Sequence, residues 1–213
     1  LERLEQLGMV RRTFGGAIAA YQHDIALTER SGTRTEEKAR IGRAAAKLIQ
    51  PGEAVFIDAG STTLQLAKYW PEAKDATAVT HALHVALELM GKRVPTLVVG
   101  GLLREATSSL VGPIAEETLG KMAFDRVFIG AAGFTLEHGF SNSNVFEAEV
   151  KRAAIARAKD VTALIDHSKF GRQSLASFAD LTRVTRIITD RLPDQEVQEA
   201  CARHGIELMI ARD

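Results

Sequence analysis

One cysteine, Cys201, stands among 213 residues, so the chain has no internal disulfide and no cysteine-ligated zinc site of its own. That usage suits a reducing cytoplasm. Net charge is absent too: 27 Lys and Arg cancel 27 Asp and Glu, leaving no global field to attract nucleic acid. Any contact with DNA is therefore local or lies outside this chain. No apolar run nears the roughly 18 residues that span a bilayer, and no signal-peptide pattern opens the chain. A metal is unsupported, because His81 and His84 stand three apart with no third ligand in view. Gly100-Gly101 lacks the wider G-x-G-x-x-G pattern of a dinucleotide site. No G-x-S-x-G nucleophile elbow occurs, and no cofactor is implied.

What is present is a core. Hydrophobic residues make up 46% of the chain, enough for one α/β domain with a small appendage. The central stretch is Ala54-Val55-Phe56-Ile57-Asp58-Ala59-Gly60-Ser61-Thr62-Thr63-Leu64. Its apolar start reads as a buried strand, Asp58 to Gly60 as a turn, and Ser61 onward as a helix. Such a turn points free backbone N–H groups and the positive end of the helix dipole at an anion. Three hydroxyls add donors, and Asp58 at the strand's end can accept from ligand hydroxyls, so the stretch reads as a cradle for a phosphorylated sugar or polyol.

The same rhythm recurs. Thr33 with Glu36 fits a capping box opening a helix to about Gln50, which Pro51-Gly52 ends. Strands are expected at 54–57, 77–80, 95–99, 125–129, 161–165, 185–189 and 206–210. Helices are expected at 62–69, 82–90, 113–120, 194–203 and, as one long element, from Asn144 to Lys159. Segment 166–184 breaks the rhythm and reads as a loop with an extra strand. Short continuous apolar strands alternating with helices predict a Rossmann-like, mainly parallel sheet with helices on both faces. There is no internal repeat and no low-complexity tract.

Ligands of parallel sheets bind outside the carboxyl ends of the strands. Those ends carry Asp58-Ala59-Gly60-Ser61-Thr62, then Thr80-His81, Gly100-Gly101, Gly130-Ala131-Ala132-Gly133, Asp166-His167-Ser168-Lys169 and Thr189-Asp190-Arg191. Glycine permits close backbone approach and lysine supplies a compact charge for phosphate. Each has a structural alternative. Asp58 and Ser61 also suit a helix cap. Glu147 stands three residues after Asn144 and four before Lys151, so a capping glutamate and an ion pair are preferred on spacing alone.

The two ends of the chain read differently. Leu1, Leu4 and Leu7 share a helical stripe that Gly8 stops, and Met9 to Thr13 forms a strand-like basic run ending at Phe14-Gly15-Gly16. On spacing alone this is an ordinary helix-to-strand connection. The opening at Leu1 rather than Met points to sequence upstream. Ala17 to Arg34 lacks periodicity, ends in a polar stretch and reads as a linker.

Taken together, these motifs resemble the DeoR family of bacterial transcriptional regulators, over nearly the whole chain. The resemblance rests on Leu4 to Ala17, Asp58 to Thr63, Gly100-Gly101, Val111-Gly112, Asp125 to Gly133, Glu147 to Lys151, Asp166 to Phe170 and Ile188 to Asp190. It implies an effector-sensing domain over 35–213, similar in fold to ribose-5-phosphate isomerase, a linker over 17–34, and in 1–16 the remnant of a winged helix-turn-helix. It further implies a cytoplasmic, oligomeric repressor of carbohydrate metabolism, induced by a phosphorylated sugar or polyol, and no enzyme. Operator DNA would be held through a mostly absent amino-terminal domain, with Arg11 and Arg12 as phosphate contacts of the wing. The expected ligand set is Asp58, Gly60, Ser61, Thr62, Thr63, Thr80, His81, Gly100, Gly101, Gly130, Glu147, Lys151, Asp166 and Lys169. His81 departs from the family, which usually has Asn there. Two rival readings are an active sugar-phosphate isomerase, with Glu147 or Asp58 as its base, and an oligomerisation module with a vestigial pocket.

Overall fold

The computed structural model describes residues 10–13, 16–19, 27–71 and 75–212. Strands β3 (Ala54–Ile57), β4 (Thr77–Thr80), β5 (Thr96–Val98), β8 (Phe124–Ile129), β11 (Ala158–Leu164), β13 (Arg186–Thr189) and β14 (Glu207–Ile210) form one sheet. All its pairings are parallel, in the order β14-β13-β11-β8-β3-β4-β5. The α/β architecture expected from the alternating apolar runs is the one observed.

The strand sequences explain the two layers. Within β3, Val55 and Ile57 pack with Ile41, Leu66 and Leu89 of helices α2 (Thr35–Ala46), α3 (Ser61–Lys68) and α4 (Leu83–Gly91). Phe56, one residue out of phase, packs on the other side with Leu119, Ala154 and Ala200. These come from α5 (Pro113–Gly120), α6 (Val145–Ile155) and α7 (Gln195–Arg203). Val127 and Ile129 against Phe128 divide in the same way, as the period of two requires. Full burial on both faces is why these strands read as unbroken apolar runs. Among the described residues no helix is long and apolar enough to cross a membrane.

The chain runs from β3 outward to β5, then crosses back to place β8 on the other side of β3. The strand order therefore reverses between β3 and β8, and a crevice opens at their carboxyl ends. Smaller elements surround it: the hairpin of β6 (Leu102–Arg104) with β7 (Ser109–Val111), and an antiparallel sheet of β9 (Gly133–Thr135), β10 (Gly139–Asn142) and β12 (Ala176–Ala179). Phe134, Phe140 and Phe178 from that sheet, with Phe170, make a continuous aromatic cluster. Ahead of these elements in the chain, β1 (Val10–Thr13) and β2 (Gly16–Ala19) form an antiparallel ribbon, and α1 (Leu27–Ser31) follows.

Several local expectations are corrected. The helix from Asn144 ends at Ile155, and Ala158 already pairs with Phe124, so helix propensity through Lys159 yields to sheet pairing. The Thr33–Glu36 capping box does not form. Arg34, in a left-handed conformation at φ 51°, precedes the helix, and the Thr33 hydroxyl donates to the Arg30 carbonyl. That helix stops at Ala46, short of Gln50. Leu27–Ser31, inside the stretch read as a linker, is helical, and two hairpins that the sequence does not signal, β6–β7 and β9–β10, turn through 105–108 and 136–138. The helix expected at Leu1–Gly8 lies outside the described residues.

Candidate functional site

At the crevice the chain leaves β3 through Asp58-Ala59-Gly60 and enters α3. Gly60, in an extended conformation, is the N-cap residue, and no side chain caps this helix. Thr63 explains how the turn holds: its hydroxyl donates to the Asp58 carbonyl at 2.7 Å and lies 3.0 Å from the Gly60 carbonyl. Thr80 does similar work one strand over, donating to the Ile57 carbonyl at 2.7 Å while accepting from Ala82 N–H at 3.1 Å. Ser61 and Thr62 are left at the helix entrance, and among the described residues neither hydroxyl makes a hydrogen bond.

Asp58 is fully buried, and protein groups occupy both its oxygens. Oδ2 accepts from the Lys151 ammonium at 2.6 Å and from Gly130 N–H at 2.9 Å. Lys151 also donates to the Gly130 carbonyl at 2.7 Å and lies 5.0 Å from the Phe178 ring centroid. One ion pair thus ties β3, the turn after β8 and helix α6 together at the point where strand order reverses. Burial alone would raise the Asp58 pKa, but Lys151 and His81 reverse this and hold the carboxyl well below its usual range. His81 Nε2 is 3.2 Å from both Asp58 Oδ1 and Ala59 N, and Nδ1 faces the Leu110 carbonyl at 3.0 Å. The ring stacks on Phe56. His81 is thus packed and fully buried.

Glu147 is 3% exposed, and it neither caps α6 nor pairs with Lys151. Asn144 performs the capping through its side chain, accepting from Glu147 N–H. The Glu147 carboxylate accepts from Asn142 at 2.7 Å and lies 3.5 Å from the Arg104 guanidinium, which β6 carries in. Gly101, with φ 152°, packs against this hairpin; a Cβ there would meet the Val111 carbonyl oxygen at 2.7 Å. Gly100 precedes it just after β5, and a Cβ there would meet nothing within 4 Å.

A second cluster follows β11. Asp166 caps the short turn His167–Lys169, accepting from Ser168 N–H at 3.0 Å and from the Ser168 hydroxyl. His167 ties this turn to Asp190 after β13, both at 2.7 Å. Burial would raise the Asp166 pKa, but Lys169, Ser168 and Arg34 bring it below the ordinary value. Arg34 Nε lies 3.7 Å from Asp166 Oδ1. The Lys169 ammonium makes no hydrogen bond among the described residues, and burial lowers its pKa despite Asp166 nearby. Lys38, 4% exposed, has its pKa lowered to about 8 by burial, with the charges of Lys169, Arg30 and Arg34 adding to the effect.

His84, Arg30, Arg34, Lys38, Arg104 and Asn142 are the polar residues at this site that sequence reading did not select. Both ring nitrogens of His84 are buried, beside the Gly60 backbone. Burial, then the charges of His81 and Arg30, lower its pKa to about 4, so it is neutral near pH 7. No group of three or more His, Cys, Asp and Glu among the described residues is placed to hold a metal.

The arrangement offers hydroxyls and a helix N-terminus on one side, and cations around one carboxylate on the other. Arg11 and Arg12 stand on β1 of the ribbon, away from this set in the chain.

Comparison with known proteins agrees with this architecture. The family model of the DeoR C-terminal sensor domain matches residues 33–191. The repressor GlcR of Bacillus subtilis is 37% identical over 213 residues, covering 99% of this chain and 82% of that protein. The putative aga operon repressor of Escherichia coli O157:H7 is 32% identical, covering 97% and 79%. GlpR of Haloferax volcanii is 31% identical, covering 98% and 83%. Among solved structures, eIF2B delta from Chaetomium thermophilum aligns with a TM-score of 0.54 at 18% identity, covering 76% of this chain and 57% of that one. Ribose 5-phosphate isomerase A from Methanocaldococcus jannaschii aligns with a TM-score of 0.48 at 15% identity, covering 65% and 55%. The named sequence relatives are transcriptional regulators, and this chain, with its sensor domain spanning most of its length, belongs to the DeoR family of such regulators.

Proposed function

We propose that this chain is the sensor portion of a repressor of carbohydrate metabolism whose effector is a phosphorylated sugar or polyol. One observation carries the reading. Beside the strand-order reversal, Ser61 and Thr62 keep hydroxyls at a helix N-terminus and Lys169 keeps an ammonium, none of them hydrogen-bonded among the described residues. A helix N-terminus with hydroxyl donors suits a phosphate, and a nearby lysine adds a compact charge. Glu147, with one oxygen on Asn142, and Asp166 at the rim accept from sugar hydroxyls, while Gly130 allows close backbone approach. Asp58, Lys151, Thr63, Thr80 and His81 shape this pocket, because protein groups engage their polar atoms. The isomerase alternative loses Asp58 as a base on the same ground, because it is locked in an ion pair.

Operator binding belongs to the ribbon side, where Arg11 and Arg12 on β1 contact DNA phosphates as part of a winged helix-turn-helix completed upstream. The active form is a homo-oligomer. Edge strand β5 and its surroundings leave Leu87, Met90, Leu97, Val98, Leu102 and Leu103 exposed, an apolar margin a second copy can cover. A groove of about 690 Å³ between α4 and β5 lies on this margin and contains none of the strand-end polar residues.

A thermal-shift screen with sugar and polyol phosphates tests the effector reading. A true effector at about a hundred times its Kd adds about 2.7 kcal/mol, or roughly 5–10 °C for a chain of this size. No shift with any phosphate rejects it.

A further inference from the structure

The segment that enters the sensor body carries more charge towards the crevice than a connector needs. Arg30 lies in the last turn of α1, Arg34 stands in the left-handed turn before α2, and Lys38 lies one turn into α2. The Lys38 ammonium donates to the Arg30 carbonyl and, at 2.7 Å, to the Thr33 carbonyl, which pins the turn from below. A non-glycine residue at φ 51° is strained, and this internal brace keeps it so.

The braced turn aims its cations at one place. Arg34 reaches Asp166 at 3.7 Å, and the charges of Arg30, Arg34 and Arg172 all bear on Lys169. Arg30 also bears on His84, which stands beside Gly60 at the entrance to α3. Arg30 Nε and Nη2 are buried and have no hydrogen-bond partner among the described residues. Buried guanidinium nitrogens without acceptors are costly, even on a half-buried arginine such as this one. Asp166 bears on Lys169 and Lys38, and the charges of Arg30 and Arg34 bear on the same two lysines, with Arg172 adding to them at Lys169. Such a set of cations suits an anion with several acceptor oxygens, and the forked guanidinium fits a phosphate monoester dianion.

We infer that Arg30 and Arg34 are anion-gripping residues of the effector site, so that the bound phosphate clamps the segment arriving from the ribbon onto Lys169 and the entrance of α3. The inference rests on the phosphorylated-effector reading above and adds to it a mechanical role for the entry segment. The ribbon β1–β2 lies just before α1 in the chain, so a ligand that fixes α1 constrains how the DNA side leaves the sensor. By reciprocity, any change in DNA affinity with ligand bound equals the change in ligand affinity with DNA bound.

The test uses the 213-residue chain, inorganic phosphate, and glycerol 3-phosphate, ribose 5-phosphate and glucose 6-phosphate as probes. Calorimetry compares wild type with Arg30→Gln, Arg34→Gln, Arg30→Lys and Lys169→Gln, after far-ultraviolet circular dichroism has shown each to be folded. For the probe that binds wild type, each Arg→Gln change is expected to weaken binding about tenfold. Arg30→Lys should recover part of the loss. The same probe should slow tryptic cleavage after Arg30 and Arg34 of wild type at least about tenfold. If Lys169→Gln weakens binding but both Arg→Gln variants bind like wild type and cleavage is unchanged, the clamp is overturned and the effector reading stands. If no probe binds wild type, the effector reading fails and the clamp with it.

Discussion

Replacing Lys151 with Met removes the ammonium that neutralises Asp58 while roughly keeping the volume of the side chain. The carboxylate left behind is fully buried, with, among the described residues, the Gly130 N–H and the His81 contact beside it. Breaking a buried pair by removing one partner costs about 3–5 kcal/mol, against a total stability of about 5–15 kcal/mol for a domain. The lost hydrogen bond to the Gly130 carbonyl adds about 1 kcal/mol. Lys151→Met is therefore expected to bring the fold close to its limit at neutral pH. The pH dependence carries its own sign. In wild type the Asp58 pKa is depressed, so its contribution is present above the unfolded pKa of about 3.9 and is lost as pH falls through the lower folded value. Without Lys151 burial dominates and raises that pKa, so the deficit of the variant shrinks as pH falls from about 7 to about 5. The double variant Asp58→Asn, Lys151→Met buries no charge and should regain about 2 kcal/mol or more. Urea unfolding followed by far-ultraviolet circular dichroism at both pH values measures all of this. A single-variant loss below about 1 kcal/mol, or a double variant no better than the single, refutes the ion pair as the lock at the strand-order reversal.

Three further outcomes are expected. His84, with its pKa lowered to about 4, is neutral in the folded chain while its unfolded counterpart titrates near 6.5. Stability from this group is thus lost as pH falls from about 6.5 to about 4, and His84→Gln should flatten that limb of the urea-midpoint profile. Gly42→Ala places a Cβ 2.5 Å from the Gln65 Cβ and 2.6 Å from its backbone carbon where α2 crosses α3. The helix-propensity gain of about 1 kcal/mol is outweighed by overpacking of up to about 3 kcal/mol, so chemical denaturation should show a net loss. At the β5 margin, Leu102 is 69% exposed, and Leu102→Lys should lower the mass found by light scattering without lowering the unfolding midpoint.

Much of this molecule is legible in its sequence because the central strands are buried on both faces. Val55-Phe56-Ile57 and Val127-Phe128-Ile129 need apolar residues at every position, and such runs stand out. The strand ends follow from them, which is why Asp58, Gly130, Asp166 and Lys169 are selected by position alone. Their partners are less readable. The Lys151–Asp58 contact joins residues 93 apart in the chain, and local spacing favours Glu147 as the partner of Lys151. Arg30 and Arg34 hide in a polar stretch too short for helical periodicity, held by a lysine whose bonds to carbonyls leave no mark on composition. Asn142 and Arg104 are hidden for a similar reason, because they enter on small hairpins that the sequence does not signal.

The site's charge arrangement is tested most directly by paired calorimetric titrations of the intact 213-residue chain with sugar and polyol phosphates and with the same compounds lacking phosphate. At least one phosphate is expected to bind at least about a hundredfold tighter than its parent, and Lys169→Gln should remove most of that difference. A parent sugar that binds as tightly as its phosphate, or the absence of binding by every phosphate, contradicts the account.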